Sequence, residues 1–390
     1  MVAARLLDKI KKYKLIFLVT ALVLLSLVAI FYIFQSLKLG TQILSLTKSL
    51  SETKKELSDL KNQDQLKINE QLKIDIKKIH DAYNEIIKPY EQIQDLKIQK
   101  QDVKDLEKTY AQILEYLSSL NYSSGSALLT QLKKDVDKKY STIASVQTTS
   151  TQTATQSNTP PGNGYSFQAV KTDSGTFNVA IIAADLNSTR VIVDTASDSD
   201  CANNCPVSSL GDYVARSGAY AGINGPFFCP AEYPSCAGKT NSFDTLLMNK
   251  NKHYFNSDNN KYSTIPLVYF TGNTMGVRGQ SLEWGRDTNV DSVIANYPLY
   301  ISGGNNNFGG SSDVKLTSKG ARSFVANKGN FAYIGVIYNA SSAEAAAVLK
   351  TLGMDNALGL DQGGSTALWF NGYKAGPGRN IPSALLFVRK

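Results

Sequence analysis

A-L-G-L-D-Q-G-G-S-T-A-L-W-F, residues 357–370, is the stretch on which the reading of the C-terminal half of this chain turns. Two short apolar runs with strand character, 357–360 and 366–370, flank a tight polar turn. The turn holds one acid, Asp361, followed by Gln362, Gly363, Gly364 and Ser365. Paired glycines allow positive φ and let a ligand approach the main chain closely. Successive N–H groups in such a turn can form a concave anion site with Asp361 at its lip. A plain glycine-rich hairpin between two core strands uses the same residues, so this stretch alone leaves both readings open.

Working outward, a helix over 343–352 precedes the turn, with Ser341 and Glu344 as a capping box and Gly353 as its stop. Strands are signalled at 177–185, 190–194, 219–224, 266–270, 322–326 and 331–338. Many strands with few helices predict an α+β domain on mixed β-sheet over residues 164–390. Before it, residues 147–163 are rich in Thr, Ser, Pro and Gly and carry no charge, the composition of a flexible linker.

Residues 39–146 read as a helical, coiled-coil-like stalk. Ile43, Leu46, Leu50, Leu57 and Leu60 keep three- and four-residue spacing, as do Leu72, Ile76, Ile79, Tyr83, Ile86, Tyr90 and Ile93. A third run is Val103, Leu106, Tyr110, Ile113, Leu117 and Leu120. Phase slips and Pro89 favour two or three helical segments over one rod. Self-association as a coiled coil, giving a homo-oligomer, and a folded-back bundle fit this pattern equally. The charged residues are expected to do no more than keep the outer face of the stripe wet.

Residues 15–34 are charge-free over the length a bilayer core requires. Arg5, Lys9, Lys11, Lys12 and Lys14 in the 1–14 tail are opposed only by Asp8. The positive-inside rule keeps that tail cytoplasmic and sends the remainder outward. The alternative, a cleaved signal peptide, is disfavoured by the length of the run and by the poor site Gln35-Ser36-Leu37-Lys38. The expectation is a single-pass membrane anchor with an extracytoplasmic C-terminal domain. The net charge of +8 belongs mostly to the membrane-proximal part, since residues after Gly164 carry 18 Lys and Arg against 16 Asp and Glu. No nucleic-acid partner is expected.

All four cysteines, Cys201, Cys205, Cys229 and Cys236, lie in the outward-facing domain. Two disulfides, most simply Cys201–Cys205 and Cys229–Cys236, suit an oxidising compartment, although four cysteines allow three connectivities. A four-thiolate zinc site is the sharper alternative, and its spacings fit zinc-ribbon patterns poorly. With His253 the only histidine of the domain, a Ser-His-Asp triad or multi-histidine metal site is not expected. Chemistry must rest on carboxylates, Arg, Asn, hydroxyls and backbone N–H groups. Asn224-Gly225 ends one strand and Arg322 opens another, where it could clamp a phosphate or form a rim salt bridge.

Taken in order, I-N-G-P-F-F (223–228), A-R-S (321–323), the helix over 341–353, L-D-Q-G-G-S-T (360–366) and G-R-N-I-P-S-A-L-L-F-V (378–388) resemble the phosphodiester glycosidase family. The resemblance covers most of 164–390 and none of the preceding region. Pro226 and Gln362 depart from it, each standing where the family has glycine. It implies hydrolysis of a sugar-1-phosphodiester in a cell-surface glycan, with Asp361, Arg322 and Asn224 as catalytic residues. Gly225, Gln362, Gly363, Gly364, Ser365 and Arg379 would bind substrate. No cofactor is required by this reading, although a divalent metal could sit at Asp361. The alternative is a glycan-binding module of the same fold that has lost turnover.

Overall fold

The computed structural model describes residues 2–98, 101–146 and 154–390; residues 147–153 of the expected linker lie outside them. The chain divides into two compact units, Met1–Ile79 and His80–Lys390.

The first unit is helical. It is the leading part of α1, which runs Val2–Ile98. It carries a segment long and apolar enough to cross a membrane, of the kind that serves as an anchor or a signal sequence. The apolar stripe that follows, including Ile43, Leu46, Leu50, Leu57 and Leu60, is exposed.

The second unit holds the end of α1 with α2 (Lys104–Ser118), α3 (Tyr122–Val146) and all the sheets. Pro89 does not end α1, contrary to the expectation of a break, because its missing donor frees one carbonyl while its neighbours stay packed. Ile86, Ile93 and Leu96 of α1 bury against Val103, Leu106, Ile113 and Leu117 of α2 and Leu129, Leu132 and Val136 of α3. Over these residues the folded-back bundle is the arrangement observed. A Glu85–Lys133 ion pair at 3.0 Å ties α1 to α3 on its exposed side.

The C-terminal part is α+β, as its alternating strands predicted. Its largest sheet has eight strands in the order 155–156, 164–172, 175–185, 331–340, 320–328, 356–359, 299–302, 305–306. Pairing is antiparallel except at the 155–156 edge, which is parallel. Both faces of this sheet are covered. Ala180, Ile182 and Ala184 enter the core shared with the other sheets, while Val179, Ile181 and Ala183 pack under helix Ser342–Thr351. The period of two over residues 179–184 thus divides one apolar run between two cores, which explains its lack of polar positions. Two five-stranded antiparallel sheets complete the domain. One orders 373–375, 368–370, 221–224, 383–389 and 189–195; the other, 254–255, 247–248, 292–295, 267–271 and 274–278. Disulfides join Cys201 to Cys205 and Cys229 to Cys236.

Candidate functional site

The site forms where strand ends from two sheets meet. Strand Ala221–Asn224 ends at Asn224, which is wholly buried. Its Nδ2 donates to Asp361 O (2.9 Å) and Gly225 O (3.2 Å), and its Oδ1 accepts from Ser323 Oγ (3.0 Å) and Ala367 N (3.2 Å). These four bonds use the full capacity of the amide. Asn224 is therefore a positioning residue that holds the Asp361 turn from across the sheet boundary. Asp361 N adds a bond to Gly225 O at 3.1 Å. A residue not anticipated, Asn296, braces the same corner: it accepts from Phe227 N (3.1 Å) and donates to Gly359 O (2.8 Å). Its only sequence signal is a polar residue ending the apolar run 293–295.

Beyond strand Asn356–Gly359 the chain enters the turn, which is a short 3₁₀ helix at Gly363–Ser365. Gly363 has φ +61°, the left-handed conformation that two glycines in tandem had suggested. The N–H groups do not all face outward as an open cradle would require. Asp361, Ser365 and Thr366 donate to Gly225, Gln362 and Gly363 carbonyls, and Gln362 N donates to Asp361 Oδ1 at 2.8 Å. The Asp361 carboxyl is buried, and burial raises its pKa from 3.8 to about 7, against the opposing hydrogen bonds from Ser365 and Gln362 N–H. Asp244 also raises it and Lys315 lowers it.

Asp361, Gln362, Gly363 and Ser365 line a cavity of about 490 Å³. Its other walls come from Phe227–Tyr233, from Lys315–Arg322 and from Lys88, Glu91 and Asp95 of α1. Gln362 Nε2 is buried without a hydrogen-bond partner, leaving one donor unspent beside Asp361. Arg322 is also at this wall, but its guanidinium faces the main chain. Nε donates to Ala340 O (2.8 Å), Nη1 to Lys315 O (2.9 Å), and Nη2 to Ser318 O. Arg322 thus fastens the Lys315–Ser318 segment to the large sheet.

The contacts of α1 were not foreseen. Asp95 makes an ion pair with Arg379 Nη2 and accepts from Tyr233 OH at 2.8 Å. Its carboxylate lies against the glycine pair: a Cβ added to Gly363 would be 2.9 Å from Oδ2, and one on Gly364 would be 2.7 Å from Oδ1. Arg379 is 6% exposed, and its guanidinium lies 4.9 Å from the Tyr233 ring centre. Burial pulls its pKa down to about 10, with Glu91 opposing, so it is a cation at neutral pH. One turn earlier, Glu91 accepts from Ser235 Oγ and pairs with Lys315 at 3.6 Å. Both acids are buried, at 5% and 7% exposure, so these two charges do not merely wet a helix face. Periodicity marks which face is apolar, and it cannot show that an acid will meet an arginine far along the chain.

The structure therefore brings Asp361, Gln362 and Ser365 to the cavity wall, with Asn224 and Gly225 bonded behind Asp361 and outside the lining. Gly363, Gly364 and Arg379 gather beside it around Asp95. Arg322 stands at the wall, and the cysteines serve the frame, with the Cys229–Cys236 loop delivering Tyr233 and Ser235. Among the described residues, no group of three or more His, Cys, Asp or Glu is placed to hold a metal ion.

Residues 217–388 match the family model for phosphodiester glycosidase. No curated protein matches the sequence. Among solved structures, the catalytic domain of zebrafish N-acetylglucosamine-1-phosphodiester alpha-N-acetylglucosaminidase, auto-inhibited by pro-peptide, is 14% identical with a TM-score of 0.46. That match covers 61% of this chain and 87% of that one. A hypothetical protein from Synechocystis is 15% identical with a TM-score of 0.42, covering 58% of this chain; this chain spans 62% of that protein's length.

Proposed function

Taking residues 217–388 as a phosphodiester glycosidase domain, we propose that the chain hydrolyses a sugar-1-phosphodiester in a cell-surface glycan. The observation that carries this is the carboxylate of Asp95 on Arg379 and the Gly363-Gly364 pair. It supports an anion position next to an acid, Asp361, whose pKa of about 7 suits proton transfer at neutral pH. In the substrate complex the phosphodiester takes the place of the Asp95 carboxylate. The bond from the anomeric carbon to the phosphate oxygen breaks, and its electron pair leaves with the phosphomonoester, whose charge Arg379 offsets. Water adds to the anomeric carbon and gives its proton to the Asp361 carboxylate, which also stabilises the oxocarbenium character of the transition state. A phosphate leaves readily, so one carboxylate suffices where ordinary glycosides need an acid as well. Gln362 Nε2 and Ser365 would orient substrate oxygens.

In this reading the 15–34 segment anchors the chain, the basic tail stays cytoplasmic, and the cleft acts outside the membrane. The exposed stripe of Met1–Ile79 would pair with a second copy as a coiled coil.

A second reading, a glycan-binding module without turnover, is favoured by Gln362, a side chain at the cavity wall where the family has glycine. Assay of the full chain in detergent on a panel of sugar-1-phosphodiesters, beside Asp361→Asn, separates the two. Release of free sugar by the parent and at least a hundredfold less by Asp361→Asn is expected. Equal, negligible release by both with glycan binding intact would overturn hydrolysis.

A further inference from the structure

Glu91 and Asp95 stand one helical turn apart on α1, and each enters the cleft onto its own cation. Residues so spaced have Cβ atoms about 6 Å apart. A buried carboxylate is costly unless its surroundings compensate it, so both points are built to receive negative charge. The first point is the Arg379 position described above. At the second, Lys315 and the Ser235 hydroxyl hold Glu91.

We propose that this second point is an anion subsite, and that the substrate places another phosphate there, as the next unit of a phosphodiester-linked glycan does. The proposal rests on the hydrolase reading and narrows its substrate to a polyanionic chain. Two features make Lys315 and Ser235 part of the built site. Tyr233 and Ser235 sit on the loop closed by Cys229–Cys236, so one constrained segment supplies a hydroxyl to each anion. The ring of Tyr233 also lies 5.2 Å from Lys315 Nζ and 4.9 Å from the Arg379 guanidinium, linking the two cations through one aromatic face system. The main chain of Lys315 is in turn held by the buried Arg322, which donates to its carbonyl at 2.9 Å. The A-R-S strand start thus serves the subsite indirectly. Of the other lysines lining the cavity, Lys88 of α1 faces Asp313 at 3.9 Å and Lys319 pairs with Glu344 at 2.9 Å.

The test uses the full chain in detergent and two ligands: a glycosyl 1-phosphodiester of an uncharged alcohol, and the same ester whose alcohol carries a second phosphodiester. Affinity is measured by calorimetry and sugar release in parallel, for the parent, Lys315→Gln and Lys315→Arg. The parent should prefer the two-phosphate compound about tenfold, the scale of one charge-assisted hydrogen bond. Lys315→Gln should bring the ratio close to one, and Lys315→Arg should restore it. Using the ratio removes any general effect of Lys315 on Asp361. A ratio of one in the parent, a ratio unchanged in Lys315→Gln, or no binding of either compound overturns the subsite. Tight, discriminating binding without sugar release would sink the hydrolase reading while supporting the subsite.

Discussion

Replacing Asp361 with Asn should stabilise the protein, and by an amount that depends on pH. Burial raises the Asp361 pKa from an ordinary 3.8 to about 7. Below 3.8 the carboxyl is protonated whether the chain is folded or unfolded, and it costs nothing. Between 3.8 and 7 the native state holds a proton that the unfolded chain releases, so native stability falls as pH rises. Above 7 both states are ionised and the full cost is present. At about 1.36 kcal/mol for each tenfold change, the rise amounts to about 4 kcal/mol. Asn cannot titrate, so its advantage over Asp should grow from its value near pH 4 by about 4 kcal/mol at pH 8. For a domain of this size that corresponds to roughly 10 °C in Tm. Differential scanning calorimetry of both forms from pH 4 to 8 reads the effect. Any constant offset from altered hydrogen bonding to Gln362 and Ser365 cancels in the pH dependence. A Tm difference that stays flat over this range would refute the claim that the fold holds Asp361 in a costly, proton-binding state.

Four further outcomes follow from the same geometry. With the Asp361 carboxylate as the working form, kcat/KM should climb with pH and level off above about 7; a decline through that range would show that the protonated acid is needed instead. Asp95→Asn should raise the affinity for inorganic phosphate at least tenfold while costing about 1–3 kcal/mol of stability, because it removes the nearer of the two carboxylates on buried Arg379 and leaves Glu232, 3.5 Å from Nη1, as its ion-pair partner; unchanged phosphate affinity argues against an anion position there. Gly364→Ala should abolish that phosphate binding, since its Cβ would lie 2.7 Å from Asp95 Oδ1 and closer still to Arg379 Nη2, as titration calorimetry can check. Leu132→Ala, at the buried centre of the three-helix bundle, should cost about 2–5 kcal/mol in denaturant unfolding.

What was legible in the sequence was what local chemistry dictates. The capping box of Ser341 and Glu344 is present, and its helix runs Ser342–Thr351. The Gly-Gly turn after Leu360 carries the positive φ its composition implied. A second capping box, Ser209 with Asp212, opens a short helix at Leu210–Ser217 that was not anticipated, because eight residues give too few turns for periodicity to register. Strand Gly164–Thr172 was missed for a related reason: its partly exposed pattern offers no clean alternation. At the site, the motifs located Asp361 and Asn224 but not their division of labour. That Asn224 spends its amide on main-chain and hydroxyl partners depends on segments 99 to 143 residues away in sequence. The same holds for Arg322, which in isolation reads equally as a phosphate clamp or a rim salt bridge and binds three carbonyls in the fold. Glu91, Asp95, Tyr233 and Lys315 share no motif at all, since tertiary packing alone brings them together.

The four bonds of the Asn224 amide bear on how the proposed hydrolase site could be remodelled. They lock Asp361 to the strand ends, whereas the groups that would meet the leaving alcohol sit on the 229–236 loop and the 313–321 segment. The Asp361 turn and the cavity rim are therefore carried by separate segments of the chain. Exchanging the rim loops between relatives should transfer preference for one glycan over another without disturbing the inner lattice, while almost any change at Asn224 would be purged regardless of substrate.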